Sequence, residues 1–159
     1  MKMRRKEREV KDPIEIKSVI DKCEIMRVAF NDDGHIYVVP VNFGYKEENG
    51  KYTFYFHGAR DGRKFGLVQK GGLAGFECDC DYQLVRAEEA CNHTALYSSI
   101  IGEGIVSEIQ DKEEKKSALS AFMLKVTGKG DWNFPSIMLA KVGVFKIEVT
   151  EMSCKAHKQ

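Results

Sequence analysis

Hydrophobic spacing divides the chain into one helical segment, a long strand-rich middle, and a second helix ahead of a final strand. In DPIEIKSVIDKC the residues Ile16, Val19, Ile20 and Cys23 recur at helical spacing. Asp12 stands as the N-cap, Pro13 at the first helical position and Glu15 three residues after the cap, so a helix opens here. From Glu24 the period shortens. EIMRVAF and HIYVVPVNFGY are rich in β-branched and aromatic residues, and the turn sequence NDDG between them marks a hairpin. A second turn, KEENG, leads into KYTFYFH, so the pattern predicts a three-stranded antiparallel meander. Pro40 lacks a backbone donor and belongs at an edge, a bulge or a ligand.

LAGFECDC reads as a fourth strand and TALYSSIIGEGIVSEI as a long fifth one whose glycines suit a bend or a close backbone approach. KEEKKSALSAFMLKV predicts a helix with Ala118, Ala121, Phe122 and Leu124 on its buried side. The loop TGKGDWNFP precedes a last strand, KVGVFKIEV. Six antiparallel strands without βαβ alternation predict a mainly β fold with flanking helices, a small barrel. The chain carries no internal repeat and no low-complexity linker. We therefore expect a single domain over residues 1–159, with residues 1–11 as a basic N-terminal arm.

Composition narrows the partners. Lys and Arg number 25 against 24 acidic residues in a chain of 159. That balance leaves no global field to draw in nucleic acid or an anionic membrane, so any anion site must be local. No apolar run approaches the roughly 20 residues needed to span a bilayer, and MKMRRKEREV has the charge of a signal peptide without its apolar stretch. The expected compartment is the cytoplasm. The five cysteines form no regular framework, and free thiols in a reducing environment are the expectation.

Local chemistry concentrates in FHGARDGRKFGLVQKGG. No phosphate-binding glycine motif of the G-x-x-x-x-G-K-[ST] or G-x-G-x-x-G type is present. What remains is a strand, a turn at residues 58–62, and the first turn of a helix carrying Arg63 and Lys64. Free amides at a helix start together with two cations suit a phosphate monoester, and a solvated basic helix face has the same composition. Cys78 and Cys80 with Cys91 and His93 contain metal-ligand residue types, but their one-residue spacings differ from zinc patterns, and no metal is expected. His57 ends an apolar strand as either a structural or a chemical residue. Trp132 either caps the core or covers a planar ligand.

The order of MRRKEREV, CEIMRVAFNDDGHIYVVPVNFGY, YFHGARDGRKF, YSSIIGEG, GDWNFP and VFKIEV resembles the flavin-binding split β-barrel proteins related to pyridoxamine 5'-phosphate oxidase, most closely the nitroimidazole-resistance branch. The resemblance implies a six-stranded split barrel forming a homodimer, with FMN at the subunit interface. It implies that Gly62, Arg63 and Lys64 hold the phosphate, and that Pro40, Val41 and Asn42 form a backbone wall for the flavin ring, with His57 close by. Ser99 would contribute across the dimer and Trp132 would cover the ligand. By the same resemblance, the activity expected is an FMN-dependent reduction of a small aromatic or nitro acceptor. Electrons would come from a nicotinamide or another donor, with His57 as the candidate catalytic residue. A non-catalytic flavin module and a haem-binding split barrel, with His57 or His93 as axial ligand, are the alternatives. Ser98 stands where these relatives often carry an arginine, and Ser153, Cys154 and Lys155 stand where many have a Gly-Lys pair.

Overall fold

A computed structural model describes residues 3–158; the first two residues of the basic arm and the last residue of the chain lie outside it. A short 3-10 turn at Lys6–Arg8 precedes β1 (Glu9–Val10), so the end of the arm joins the sheet. Helix α1 (Pro13–Lys22) starts where the sequence predicts: the Asp12 carboxylate accepts from the Ile14 amide at 3.0 Å.

Three hairpins and a last long strand then follow one another. Strands β2 (Ile25–Asp32) and β3 (His35–Asn42) turn at Asp33 and Gly34, whose φ values are 53° and 91°. Strands β4 (Gly44–Glu48) and β5 (Lys51–Gly58) turn at Asn49 and Gly50, with φ values of 55° and 79°. Consecutive positive φ is what a two-residue hairpin on twisted strands requires, and Asn, Asp and Gly adopt it at least cost. Helix α2 (Gly62–Lys70) separates β5 from β6 (Gly72–Val85), which pairs with β7 (Thr94–Glu108). Helices α3 (Lys112–Thr127) and α4 (Ser136–Lys141) precede β8 (Gly143–His157).

The sheet order is β3-β2-β6-β7-β8-β5-β4, with β1 paired to β8. The fold is the expected antiparallel split barrel, but with eight strands instead of six. One added strand is β1. The other arises because HIYVVPVNFGY is two strands, broken at Phe43, so the predicted meander does not form: β3 and β4 lie at opposite ends of the sheet path. Phe43 is fully buried, and a Cβ on Gly44 would overlap the backbone of Phe122 in α3. The helix therefore presses on the chain where it leaves β3, and that contact turns it away. Helix α4 falls where the sequence offered only a loop and a strand. Among the described residues, no helix is long and apolar enough to cross a membrane.

Inside the barrel, Met26, Val28, Phe43, Phe54, Phe56, Ile100, Phe145 and Ile147 are all but inaccessible to solvent. Each such side chain contributes about 1.5–3 kcal/mol through burial. Helix α1 closes one end with Val19, Ile20 and Cys23. A second cluster of Tyr55, Ile109, Ala118, Leu119, Leu139 and Val144 fastens α3 and α4 outside β5 and β8. Leu124, expected on the buried side of α3, is 55% exposed instead.

Candidate functional site

The basic turn lies between the end of β5 and the start of α2. Asp61 occupies the N-cap position in an extended conformation, but its side chain caps nothing. The first-turn amides of α2 are therefore left without the side-chain acceptor that helix starts usually carry. Gly62 begins the helix at a φ of 78°, a conformation that favours glycine.

The cations at this turn fall into two kinds. Arg63 Nε donates to Asp32 Oδ2 at 2.9 Å, and its guanidinium carbon lies 4.6 Å from the ring centre of Tyr37. Lys70 Nζ reaches Asp32 at 3.4 Å and Asp33 at 3.1 Å. The Arg63 hydrogen bond, aided by Lys70, holds the Asp32 carboxyl below its ordinary pKa. Arg60 Nε stands 3.0 Å from Glu108 Oε1, whose side chain is only 2% exposed. That approach is an ion pair without an aligned hydrogen bond, whereas Glu108 Oε2 accepts from Gln69 at 2.6 Å and Gln110 at 2.7 Å.

Lys64 differs from the other three. Its half-buried ammonium has no carboxylate partner among the described residues and donates only to the His57 carbonyl oxygen, at 3.5 Å. It fits against Gly58, where a Cβ would stand 2.7 Å from Nζ. Burial lowers its pKa. A cation left this way is the one best placed to gain from an incoming anion.

His57 pairs with Val144 at the end of β5, and its ring meets Phe122 edge-on at 4.7 Å. One side of the imidazole stays open to solvent. The protein packed around the other side, and then Lys64, lower its pKa, so the ring is neutral at pH 7. Pro40, Val41 and Asn42 lie on β3, which among the described residues pairs with β2 alone, at one end of the sheet path. Pro40 is thus on an edge strand, as its missing donor requires. Val41 points inward, Pro40 and Asn42 are exposed, and Asn42 Nδ2 donates to the Glu24 carbonyl at 3.3 Å.

The chain brings Gly62, Arg63, Lys64 and His57 to one turn. Through Arg63 on Tyr37, that turn joins the strand carrying Pro40 to Asn42. Ser99 is three strands away, on β7, opposite Asp79 and Lys155. Its neighbour Ser98 is buried. Trp132 lies in the loop after α3, 42% exposed, where Nε1 donates to the Lys129 carbonyl at 2.7 Å. Cys78 and Cys80 sit on β6 under α1, with burial pushing the Cys80 thiol up to about 12, while Cys91 and His93 belong to the β6–β7 connection. Sequence reasoning missed the acidic partners: Asp32, Asp33 and Glu108 carry no local signal of a site, because their cations lie 31 or more residues away.

The outer face of the sheet is a separate feature. Ile36 (71%), Val38 (53%), Leu73 (54%), Ile101 (43%) and Ile105 (43%) are exposed there. Cross-strand register aligns Val38 with Ala29 and Gly75, Leu73 with Ile105, and Glu77 with Ile101, so these residues share one face. Arg27 bridges Glu77 at 2.9 Å and Asp79 at 2.7 Å on the same surface.

The family model described as pyridoxamine 5'-phosphate oxidase matches residues 12–156. No curated protein matches the chain. Among solved structures, a candidate 5-nitroimidazole antibiotic resistance protein from Bacteroides thetaiotaomicron is 28% identical, with a TM-score of 0.79 over 93% of this chain and 86% of that one. A flavocytochrome from Azotobacter vinelandii is 22% identical, with a TM-score of 0.80 over 99% of this chain and 73% of that one. An FAD- and haem-binding protein from Mycobacterium smegmatis is 17% identical, with a TM-score of 0.79 over 96% of this chain and 74% of that one. The last two likenesses speak for the fold alone.

Proposed function

Since the chain belongs to the pyridoxamine 5'-phosphate oxidase family, we propose that it is a homodimeric FMN-dependent oxidoreductase that reduces a small aromatic or nitro-bearing acceptor. The observation that carries this reading is Lys64, a half-buried ammonium without a carboxylate, beside an uncapped helix start. Backbone donors and a cation lacking a counter-charge form the donor set that a phosphate monoester satisfies, so the residues fit the group.

In this reading Lys64, the amides of α2 and the free Nη atoms of Arg63 bind the phosphate, while Asp32 and Tyr37 fix the guanidinium plane. Strand β3 at Pro40, Val41 and Asn42 orients the ring. FMN held there would supply the redox chemistry, with a nicotinamide or another donor as the electron source. Neutral His57, held by Phe122, offers a hydrogen bond to the acceptor and carries a proton to it when the pH allows. The exposed apolar face of β3, β2, β6 and β7 is covered by a second copy, which shields it from water. Ser99 shares that face, which suits a contribution across the dimer, and Trp132 covers the ligand.

A second reading rests on His57. A neutral imidazole beside an open site is also a metal ligand, and a flavocytochrome and an FAD- and haem-binding protein share this fold. The absorption spectrum and light scattering of the purified protein separate the two. Flavin bands, a dimer and about one FMN per chain support the oxidoreductase. A Soret band abolished by His57→Ala supports haem, and released FAD would move the reading from FMN to the dinucleotide.

A further inference from the structure

A cleft of about 630 Å³ opens between α1, the β4–β5 hairpin and α3. It shares no lining residue with the basic turn. Its size lies within the roughly 300–1,000 Å³ of small-molecule sites.

The aromatic side of the cleft is built by Tyr45 and Tyr52. Their ring centres are 6.4 Å apart at 31°, and Tyr52 in turn stacks on Phe54 at 18°. The Tyr45 hydroxyl donates to Asp21 at 2.8 Å, which fixes its ring. Leu124, 55% exposed, faces this aromatic wall from α3. Its outward position departs from the buried side expected for it, and Val126 two residues on is also 51% exposed.

The cleft also holds three lysines, none paired with a carboxylate among the described residues. Lys125 Nζ donates to the Cys23 carbonyl and lies 4.1 Å from the ring centre of Phe43. Lys46 Nζ donates to the Ser117 hydroxyl. Lys17, on the exposed side of α1, has no side-chain hydrogen bond or ion pair among the described residues. The two carboxylates of the lining each accept a hydrogen bond: Asp21 from the Tyr45 hydroxyl within the cleft wall, and Glu47 from the Gly50 amide of its own hairpin turn at 2.5 Å. Burial lowers the pKa of Lys125, and the more distant charges of Asp21 and Glu24 offset that only in part.

We propose that this cleft is a second ligand site, specific for a small planar aromatic anion. The ligand's ring lies against Tyr45 and Tyr52 and its carboxylate or sulfonate meets Lys17, Lys46 and Lys125. Flat rings gain by stacking on such a wall, and charge-assisted hydrogen bonds to lysine select the anion over its neutral analogue.

Calorimetry on the full chain, as purified, with 2-naphthoate and 2-naphthamide tests this. We expect one 2-naphthoate per chain, bound at least tenfold tighter than the amide. The exposed Lys17→Gln change should cut that preference several-fold, and Lys17→Gln with Lys46→Gln should abolish it, with flavin content unchanged. Saturating FMN should leave naphthoate binding intact. Equal affinity for acid and amide, indifference to both lysine variants, or displacement of naphthoate by FMN would each overturn the proposal.

Discussion

The ammonium of Lys64 lies 3.5 Å from the carbonyl oxygen of His57, so the cation of the basic turn and the imidazole of the neighbouring strand form one electrostatic unit. Burial first and Lys64 second favour the neutral form of His57, and any anion that binds Lys64 weakens the second influence. An imidazole nuclear magnetic resonance titration of the flavin-free protein should show His57 titrating below the ordinary value of 6.5. Lys64→Met should move it upward. A His57 value at or above 6.5 that ignores the substitution would separate the two residues.

The same shift sets a pH dependence. Because the folded pKa of His57 lies below the unfolded one, the unfolded chain takes up the proton first as the pH falls through 6.5. His57 therefore subtracts stability in the window from 6.5 down to its folded pKa and is neutral toward stability above it. Urea midpoints measured through that window should fall less steeply in His57→Gln. In anaerobic stopped-flow, the part of nitroimidazole reduction that needs the imidazolium should grow only below 6.5 and be missing from His57→Gln.

Glu108 anchors the turn from behind. Its buried carboxylate is shared by Arg60, Gln69 and Gln110. Glu108→Ala leaves those donors without an acceptor and should cost about 1–3 kcal/mol in denaturant unfolding, with an unchanged m-value. A midpoint equal to that of the unaltered protein would mean that water replaces the carboxylate at no cost.

Two glycines should respond in opposite directions to the same substitution. A methyl on Gly44 meets the backbone of Phe122, so Gly44→Ala should destabilise by about 1–3 kcal/mol. Gly66 lies inside α2 with nothing within 4 Å of its would-be Cβ, and Gly66→Ala should stabilise by about 0.5–1 kcal/mol. Thermal unfolding of the pair tests whether α3 presses on the β3–β4 junction as described.

That junction also marks where the sequence stops being legible. The cap of α1 and both hairpin turns are written locally, in Asp12-Pro13, Asp33-Gly34 and Asn49-Gly50, and each was readable. The break at Phe43 was not, because the apolar pattern runs through it unbroken and the cause is a helix some 80 residues further on. Helix α4 is only six residues long and has too few turns for a period to show. At the site, the glycine and the cations of the turn were visible as a cluster. Their division into Arg63, held by Asp32, and Lys64, held by no carboxylate, depends on which hairpin the fold brings alongside.

The reading of the basic turn as a phosphate site is tested most directly by calorimetric titration of the flavin-free protein with FMN and with riboflavin, for the unaltered chain and for Lys64→Ala. FMN should bind the unaltered protein more tightly than riboflavin, and Lys64→Ala should weaken FMN by about 1.5–3 kcal/mol, the range for hydrogen bonds to charged groups. Riboflavin should bind the two proteins equally. Equal losses for FMN and riboflavin, or an unaltered protein that does not distinguish them, would show that Lys64 supports the fold and reads no phosphate.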